Sequence, residues 1–526
     1  MPSASGFVTG LYRDVLLRLD APSEVESTYL VDQLASGNVD RVQAATAFLN
    51  ASERHEVQVD FLYRETLGRV AVELESKHWV GVLDSGVPID EVTATFLGSA
   101  EYRAAHGPDN TDFVQALYRD ALGRTASTDE VAYWSQVTAR DGTILVAHAV
   151  VDSAEYRAGV VQSQYRTMLG RDGTREELTH WANAWSEFGF GEVGVAARFL
   201  AGSEYDTLPP DRILIGRLNL VPGQSGLAVT DLTDGSVVVR AGLNEHDRLA
   251  VGSTFKLFVL GRLVEEVNQG LRTPDDTTPL RPDLTEPNSV LNELPPGSPV
   301  SLYRLAELMI SVSDNTATDH LLDLLGRENV EQQMAVMGHE KPEVNIPLLF
   351  TKEMIGLRDK HFPERLAEYR SLDVADQRAL LFREFDGRAA DYDAIDFDTT
   401  TFRLAEWYNS PLDSARVLLW LRDHTAPGLL ANRLRGALDQ SISHNPIEVD
   451  ATLWDYVGYK GGNEDRLLAV NYLFLGRDGR SFTVNAAWNN PDRDIATGIV
   501  TPRILIAIQQ LIHVFETDIV RAAANV

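Results

Sequence analysis

A serine and a lysine at helical spacing mark the stretch "AVGSTFKLFVLGRLVEEV" at residues 250–267. Ser253 stands three residues before Lys256, so a helix would place both side chains on one face. Serine is a favoured helix N-cap, but a lysine in the first turn faces the positive end of the helix dipole. Apolar neighbours would lower the pKa of this lysine, and a neutral amine can take a proton from a hydroxyl. The pair therefore predicts a nucleophile and its base.

Two later segments carry polar residues that such a pair would need. The tripeptide Ser-Asp-Asn at 313–315 precedes an apolar helical run, and Lys-Gly-Gly at 460–462 opens a predicted strand. Alone, the first segment is explained by a helix cap and the second by a turn. Three such segments in this order indicate a site assembled from distant parts of the chain.

Together the three segments resemble the serine β-lactamases and penicillin-binding proteins, which carry S-x-x-K, S-D-N and K-T-G in that order. The resemblance spans about residues 211–520. It implies an α/β domain in which an antiparallel sheet is flanked by helices. It also implies a serine hydrolase that acts through an acyl-enzyme on a small-molecule ester, amide or β-lactam, with no cofactor and no metal ion.

By position, the resemblance implies a catalytic role for four side chains. Ser253 would be the acylated nucleophile, and Lys256 would activate it. Ser313 would relay a proton to the leaving group. Lys460 would supply positive potential for Ser313 and for a substrate carboxylate.

The resemblance also implies a set of substrate-binding residues, namely Asn315, Gly461, Gly462 and Asn463. Asn315 would hydrogen-bond the substrate and hold the lysine of the S-x-x-K motif. The backbone N–H groups of Ser253 and Asn463 would form the oxyanion hole. One departure stands out, because Gly461 replaces the K-T-G threonine and so removes a hydrogen bond to a substrate carboxylate.

A base for deacylation is harder to find in the sequence. Class A β-lactamases activate the hydrolytic water with a glutamate in an E-x-x-L-N pattern, which this chain lacks. The nearest match is "EWYN" at 406–409, so Glu406 is a candidate for this role.

The stretch between the second and third motifs is longer than in the classical enzymes. We predict an insertion near 345–405 that includes an acidic segment at 362–398 and forms a lid or an added helical pair over the site. The segment "NIPLLFTKEMIGL" at 345–357 resembles β-lactamase-like serine hydrolases of clavulanic acid gene clusters.

The first 207 residues contain about four copies of a repeat, starting near residues 7, 58, 113 and 160. The pattern predicts stacked helical units and resembles small helical repeats of bacterial modular proteins that are similar to phycobilisome linker domains. A recurring arginine and a recurring glutamate are expected to pair within each unit. The arginines are Arg13, Arg64, Arg119 and Arg166, and the glutamates are Glu53, Glu101, Glu155 and Glu204.

One motif in this region is misleading. "GFGEVG" at 189–194 matches the dinucleotide fingerprint G-x-G-x-x-G, but that fingerprint needs a preceding strand. Both flanks have helical patterns, so we interpret the segment as a turn.

A Pro-Pro linker at 208–212 separates the repeats from a hydrolase domain predicted over 213–526. That domain begins with a hairpin turning at "TDG" and contains a second one turning at "RDG". It is predicted to end in an apolar helix at 503–515.

Composition restricts the partners and the compartment. The formal net charge of −30 disfavours nucleic acid as a partner, and the absence of cysteine excludes thiol chemistry. The sequence contains no run of 18 apolar residues, which a membrane span would require. The N-terminus lacks the pattern of a secretory signal. The expected location is the cytoplasm, with export by another route left open. A protein partner for the repeats is also left open.

Several other functions are alternatives to a serine hydrolase of the β-lactamase type. An α/β-hydrolase would carry G-x-S-x-G, and a zinc hydrolase H-E-x-x-H, and neither pattern occurs. A β-lactamase-like domain without turnover, joined to partner-binding repeats, remains open. So does a transpeptidase of the penicillin-binding type.

Overall fold

The computed structural model divides the chain into two units, Met1–Leu220 and Val221–Val526. The residues that it describes are 4–16, 18, 22–106, 109–208, 223–389, 391, 394–395, 404–440, 449, 452–490, 508–509, 511–512 and 516. Apart from Leu208, the predicted linker lies outside these residues, so the domain limits at 207 and 213 stay predictions. Within the described residues, no helix is long and apolar enough to cross a membrane.

The described elements of the N-terminal unit are helices that bury apolar faces against one another. In chain order they are α1 (Ala4–Asp14), α2 (Glu24–Ala35), α3 (Arg41–Leu49), α4 (Ser52–Leu67), α5 (Glu73–Asp84), α6 (Ile89–Leu97), α7 (Ala100–His106), α8 (Asn110–Leu122), α9 (Thr128–Asp141), α10 (Thr143–Val151), α11 (Ala154–Leu169), α12 (Arg175–Glu187), α13 (Gly191–Ala201) and α14 (Ser203–Thr207).

The same contact set recurs four times in this unit, and Arg124 is a representative centre. Its guanidinium lies over the Tyr118 ring at 5.0 Å and pairs with Glu130 at 2.7 Å and with Glu155 at 2.5 Å. Glu130 also closes the capping box at the start of α9. Each set therefore ties three helices together. The equivalent arginines are Arg18, Arg69 and Arg171.

The pairing predicted from the repeat was therefore right for the glutamates and wrong for the arginines. The arginine that follows each tyrosine pairs with a nearby aspartate instead, as in Arg119 with Asp120 at 3.0 Å. The other three pairs are Arg13–Asp14, Arg64–Asp60 and Arg166–Asp172. The physical reason is the left-handed glycine that ends helices such as α8. It turns the chain back, so that the next arginine, and not the one within the helix, reaches the recurring glutamate.

The G-x-G-x-x-G segment begins in the connection between α12 and α13, with no strand before it. Gly189 and Phe190 belong to this connection, and residues 191–194 form the first turn of α13. The absence of a preceding strand agrees with the prediction, but the turn is confined to the first two residues of the segment.

The C-terminal unit combines strands and helices. Its strands are β1 (Gln224–Asp231), β2 (Val238–Leu243), β3 (Leu249–Ala250), β4 (Thr277–Pro279), β5 (Pro299–Ser301), β6 (Tyr408–Asn409), β7 (Trp454–Glu464), β8 (Leu467–Gly476) and β9 (Ser481–Asn489). Its helices are α15 (Lys256–Asn268), α16 (Leu302–Ser311), α17 (Asn315–Leu325), α18 (Arg327–Val336), α19 (Thr351–Leu357), α20 (Pro363–Ser371), α21 (Val374–Phe385), α22 (Pro411–His424) and α23 (Arg435–Gln440).

The main sheet has five strands in the order β2-β1-β9-β8-β7, and every described pairing in it is antiparallel. Both predicted hairpins are confirmed as β1–β2 and β8–β9. Pairing of β1 with β9 closes the sheet from distant parts of the chain. The edge position of β7 leaves one side of this strand free to face other elements.

Helix α15 lies in the core of the C-terminal unit. It is buried on most of its faces, as its largely apolar sequence predicts, and its apolar side chains join a single cluster with α16, α17 and α22. Just ahead of it, the short β3–β6 ladder pairs Leu249 with Asn409 and Ala250 with Tyr408. Pairing with β6 thus holds the segment that leads into α15.

The predicted insertion contains helices in its described part. Helices α20 and α21 pack on α19, where Gly356 leaves room for the Phe385 ring. Residues 390, 392–393 and 396–403 of the insertion lie outside the described residues. Of the predicted C-terminal helix, the structure describes helical Ile508, Gln509, Leu511 and Ile512.

Candidate active site

Ser253 lies in a 3-10 turn over Gly252–Phe255, and α15 begins at Lys256. The N-cap residues of these two elements are Val251 and Phe255, so Ser253 is the cap of neither. The alternative that Ser253 is a helix cap is therefore wrong. Its side chain is partly exposed, whereas its neighbours Gly252 and Thr254 are buried.

Lys256 is 0% exposed and has three hydrogen-bond acceptors around its ammonium group. Its Nζ donates to the carbonyl oxygen of Ser313 at 2.6 Å, to Ser313 Oγ at 3.1 Å and to Asn315 Oδ1 at 2.6 Å. Burial lowers the pKa of Lys256 to about 8, although the carboxylate of Glu286 opposes this shift. All three protons of the charged amine thus have acceptors other than Ser253.

Ser313 lies in the connection between α16 and α17, in a backbone conformation that side chains rarely adopt. Its φ is +60°, in the left-handed region. The following Asp314 stabilises this turn, because its carboxylate caps α17 at Ala317 N and accepts a hydrogen bond from Ser289 Oγ at 2.6 Å. The turn aims Ser313 Oγ at two lysines.

Lys460 approaches Ser313 from the edge strand. Its side chain is buried, and Nζ donates to Ser313 Oγ at 3.0 Å and to the carbonyl oxygen of Gly461 at 2.5 Å. Burial, together with the nearby charge of Lys256, lowers the pKa of Lys460 well below its usual range. Lys460 lies within β7 and does not open the strand as predicted, because pairing with β8 already begins at Trp454.

The backbone of β7 runs directly against the turn that carries Ser253. A Cβ at Gly462 would lie 2.3 Å from Val251 O and 2.8 Å from Ser253 N, and a Cβ at Gly252 would lie 3.6 Å from Asn463 N. The N–H groups of Ser253 and Asn463 are therefore carried by adjoining backbone segments. Only glycine at position 462 permits this approach.

Gly461 faces the opposite side of β7 from Gly462. A Cβ at position 461 would lie 2.2 Å from the hydroxyl oxygen of Tyr459. The space that a threonine would use in a K-T-G motif is therefore occupied by the tyrosine side chain.

Glu406 lies in a buried cluster with Arg358 and Glu464. Arg358 Nη1 is 2.7 Å from Glu464 and 3.5 Å from Glu406, and Glu406 Oε1 accepts a hydrogen bond from Trp407 N at 2.9 Å. Burial and the charge of Glu464 raise the pKa of Glu406 well above its usual range. Because Arg358 lies closer to Glu464, we assign the negative charge to Glu464 and the proton to Glu406.

Trp407 connects Glu406 to the nucleophile turn. The Trp407 ring stacks on Phe255 at 3.8 Å, and its carbonyl oxygen accepts a hydrogen bond from Val251 N at 2.9 Å. A cavity of about 190 Å³ borders Glu406, and its lining residues do not include Ser253.

Two carboxylates near the lysines are not indicated by any pattern in the sequence. Glu286 accepts hydrogen bonds from the backbone and side chain of Asn315. Asp319 accepts hydrogen bonds from the N–H groups of Thr351 and Lys352, and burial raises its pKa to about 7. The first residue lies in a Pro-rich loop and the second within a helix, and neither belongs to a motif that would have indicated its position.

The described residues contain no group of three or more His, Cys, Asp or Glu side chains arranged to hold a metal ion.

Two protein-family models match parts of the chain. Residues 212–384 match the β-lactamase enzyme family, and residues 93–160 match a domain of unknown function, DUF4214. No curated protein matches the chain. The resemblance of the N-terminal repeats to phycobilisome linker domains stays a prediction, as does the link to clavulanic acid gene clusters.

Several solved structures are similar to the C-terminal unit. A point mutant of PBP-A, as an acyl-enzyme complex with penicillin G, is 18% identical, with a TM-score of 0.41 over 59% of this chain and 100% of that chain. A β-lactamase from Sphaerobacter thermophilus is 19% identical, with a TM-score of 0.39 over 57% of this chain and 95% of that chain. A β-lactamase from Xanthomonas campestris is 16% identical, with a TM-score of 0.40 over 58% and 97%.

The predicted fold class is confirmed in both parts, since helices make up the described N-terminal unit and an antiparallel sheet flanked by helices makes up the C-terminal one. The C-terminal unit has a β-lactamase-like fold, and residues 212–384 are those that match the β-lactamase enzyme family.

Proposed function

We propose that the C-terminal unit is a serine hydrolase that forms an acyl-enzyme on Ser253. The observation that carries this proposal is the convergence of two buried lysines on one hydroxyl, with Lys256 Nζ at 3.1 Å and Lys460 Nζ at 3.0 Å from Ser313 Oγ. Burying two cations side by side is costly. A site for acid–base chemistry gives a reason for such an arrangement.

In the proposed acylation step, Ser253 Oγ attacks the carbonyl carbon of the substrate, and its proton passes to Lys256 Nζ. The amine must first be neutral and give up one of its three acceptors. With a pKa of about 8, about one tenth of the molecules carry the neutral amine at pH 7. The pKa of Lys256 is therefore close to the value that general base catalysis at neutral pH requires.

The proposed oxyanion hole consists of the backbone N–H groups of Ser253 and Asn463. These groups would hold the negative charge that develops on the carbonyl oxygen. The support for this assignment is the close approach of Gly462 to Ser253, which brings both segments together without any side chain between them.

Ser313 is the proposed proton relay to the leaving group. Its oxygen has two lone pairs, and both are directed at lysine ammonium groups. Its own proton is then free to go to the leaving group as the bond to the carbonyl carbon breaks. Lys256 or Lys460 replaces that proton, so that the charges balance at the end of the step.

The proposed acyl-enzyme would be slow to hydrolyse. Glu406, the candidate deacylation base, holds its proton through burial and through the charge of Glu464, and a protonated carboxyl cannot accept a proton from water. We therefore propose an ester, amide or β-lactam as substrate, with acylation faster than deacylation.

The test is covalent labelling followed by intact-mass measurement. Wild-type protein treated with a fluorophosphonate, and separately with a β-lactam, should gain one adduct from at least one of these reagents. Ser253→Ala should gain none. Ser371→Ala is the matched control, because Ser371 is an exposed serine whose Oγ donates to Glu368 O at the end of α20, and it should label like wild type.

Failure of the wild-type protein to label with either reagent, or to hydrolyse a chromogenic cephalosporin or an activated ester, would contradict the proposal. A domain without turnover would then be the better description.

A further inference from the structure

The loop that carries Glu286 is fastened to the start of α17. Its backbone N–H donates to Thr316 Oγ1 at 2.9 Å, and Ser289 Oγ from the same loop donates to Asp314 Oδ2 at 2.6 Å. These bonds flank Asn315 on both sides. The position of Glu286 relative to the site is therefore set by the fold.

The Glu286 carboxylate binds Asn315 through both of its oxygens. Oε1 accepts from Asn315 N at 3.3 Å, and Oε2 accepts from Asn315 Nδ2 at 2.8 Å. At the other end of the same amide, Oδ1 accepts from Lys256 at 2.6 Å. One amide thus joins the carboxylate to the lysine, and one N–H that the resemblance assigned to substrate is already used.

The Glu286 carboxylate is partly exposed in the site. Glu286 is half-buried, and the salt bridges found among the described residues do not include it. Its two oxygens retain unused lone pairs. A negative group that is partly exposed, and that lies one side chain away from Lys256, is available to a bound molecule.

The two ends of the site differ in charge. Lys460 and Ser313 lie where the leaving group would depart, so the part of the substrate near Asn315 and Glu286 is its acyl part. We propose that Glu286 determines specificity by selecting acyl groups that carry a cation, an ammonium or a guanidinium, over neutral and anionic ones. This inference rests on the proposed function.

Three nitrophenyl esters test the proposal. Their acyl chains have equal length and end in an ammonium, a hydroxyl or a carboxylate. Wild-type kcat/KM should be about tenfold higher for the ammonium ester than for the hydroxyl ester, the size of one charge-assisted contact. The carboxylate ester should be the poorest substrate.

Glu286→Gln keeps the size of the side chain and an acceptor for Asn315, but removes the charge. The ratio between the ammonium and hydroxyl esters should then fall to about one. Glu293→Gln is the matched control, because Glu293 is an exposed residue of the same Pro-rich loop, and it should keep the wild-type ratio. If Glu286→Gln folds poorly, the wild-type preference still has to weaken at high salt.

Binding measured by calorimetry separates this inference from the proposed function. The amide counterparts of the three esters should bind wild-type protein in the same order, whether or not any ester is hydrolysed. Equal binding of the ammonium and hydroxyl amides would overturn the inference. Hydrolysis of the esters without any preference would overturn the inference but keep the hydrolase. Absence of both labelling and hydrolysis, with the binding order intact, would overturn only the hydrolase.

Discussion

At the scale of single residues, the chemistry of the site depends on how many protons Lys256 and Lys460 carry beside Ser313. Lys256 and Lys460 would together bring two positive charges to one hydroxyl, and burial disfavours both charges. The loss of one proton relieves this repulsion. Burial thus lowers the free energy needed to produce the neutral Lys256 amine that attack by Ser253 requires, whereas the charge of Lys256 acts on Lys460.

A pH profile follows from the pKa of Lys256. Because the neutral amine is the active form, the rate of fluorophosphonate labelling should rise about tenfold per pH unit below pH 8 and level off above it. Lys256→Arg should lose at least about 100-fold in labelling rate, since a guanidinium does not release its proton. Measured rates that stay flat between pH 6 and 9 would contradict the assignment of Lys256 as base.

Glu406 gives a second prediction at this scale. Its raised pKa means that the folded state keeps a proton that the unfolded state releases at lower pH. Its stabilising effect is therefore fully present below the unfolded pKa of about 4.5 and is lost as the pH rises towards the folded pKa.

Glu406→Gln should accordingly gain stability relative to wild type between pH 5 and pH 8. The check is the free energy of unfolding from denaturant titrations at several pH values. Glu293→Gln, an exposed change of the same kind, should show a pH-independent difference. A Glu406→Gln difference that does not grow with pH would contradict the assignment of the proton.

At the scale of elements, the edge strand β7 positions the site by backbone contact. Gly462 meets the backbone of the nucleophile turn, whereas Gly461 faces the flexible end of Tyr459. The two neighbouring glycines therefore differ in what an added methyl group would displace.

Gly462→Ala should lower the free energy of unfolding by about 2 kcal/mol and reduce the labelling rate of Ser253, because the strand must move away from the turn. Gly461→Ala is its control, since the Tyr459 side chain can shift. Thermal unfolding and labelling kinetics measure both effects. Equal losses in the two variants would show that backbone clearance is not what matters.

Elements that depend on local patterns could be predicted from the sequence, and contacts between distant segments could not. The β1–β2 and β8–β9 hairpins follow from their turn residues, and the helix at Lys256 follows from its apolar run. The partner of Glu155 was predicted wrongly, because an arginine beyond a left-handed glycine lies closer in space than the one within the helix. Glu286 carried no signal, because its contact with Asn315 depends on how a Pro-rich loop folds back.

At the scale of the whole molecule, the two units are stabilised differently. The C-terminal unit has one large apolar cluster, whereas the described apolar residues of the N-terminal unit fall into smaller ones. The recurring arginine sets add polar links between helices of the N-terminal unit. Their contribution can be measured by comparing two arginines of one repeat.

Arg124→Ala should lower the free energy of unfolding of the N-terminal unit by about 1 kcal/mol, because it removes a cation–π contact and two ion pairs that are partly exposed. Arg119→Ala should cost less, since Arg119 pairs only with its neighbour Asp120 among the described contacts. Thermal unfolding of the full chain measures both variants. A larger loss for Arg119→Ala would restore the pairing first expected from the repeat.

The hydrogen bond between Arg358 and Glu406 has a consequence for protein engineering. These two residues lie at the start and end of segment 359–405, and their side chains are 3.5 Å apart. A segment whose ends already meet can be lengthened at low entropic cost, because the entropy of loop closure depends only weakly on length. Because α20 and α21 bury Leu366, Leu380 and Leu381 in the core, the place to insert a foreign peptide is the exposed Gly387 that follows α21.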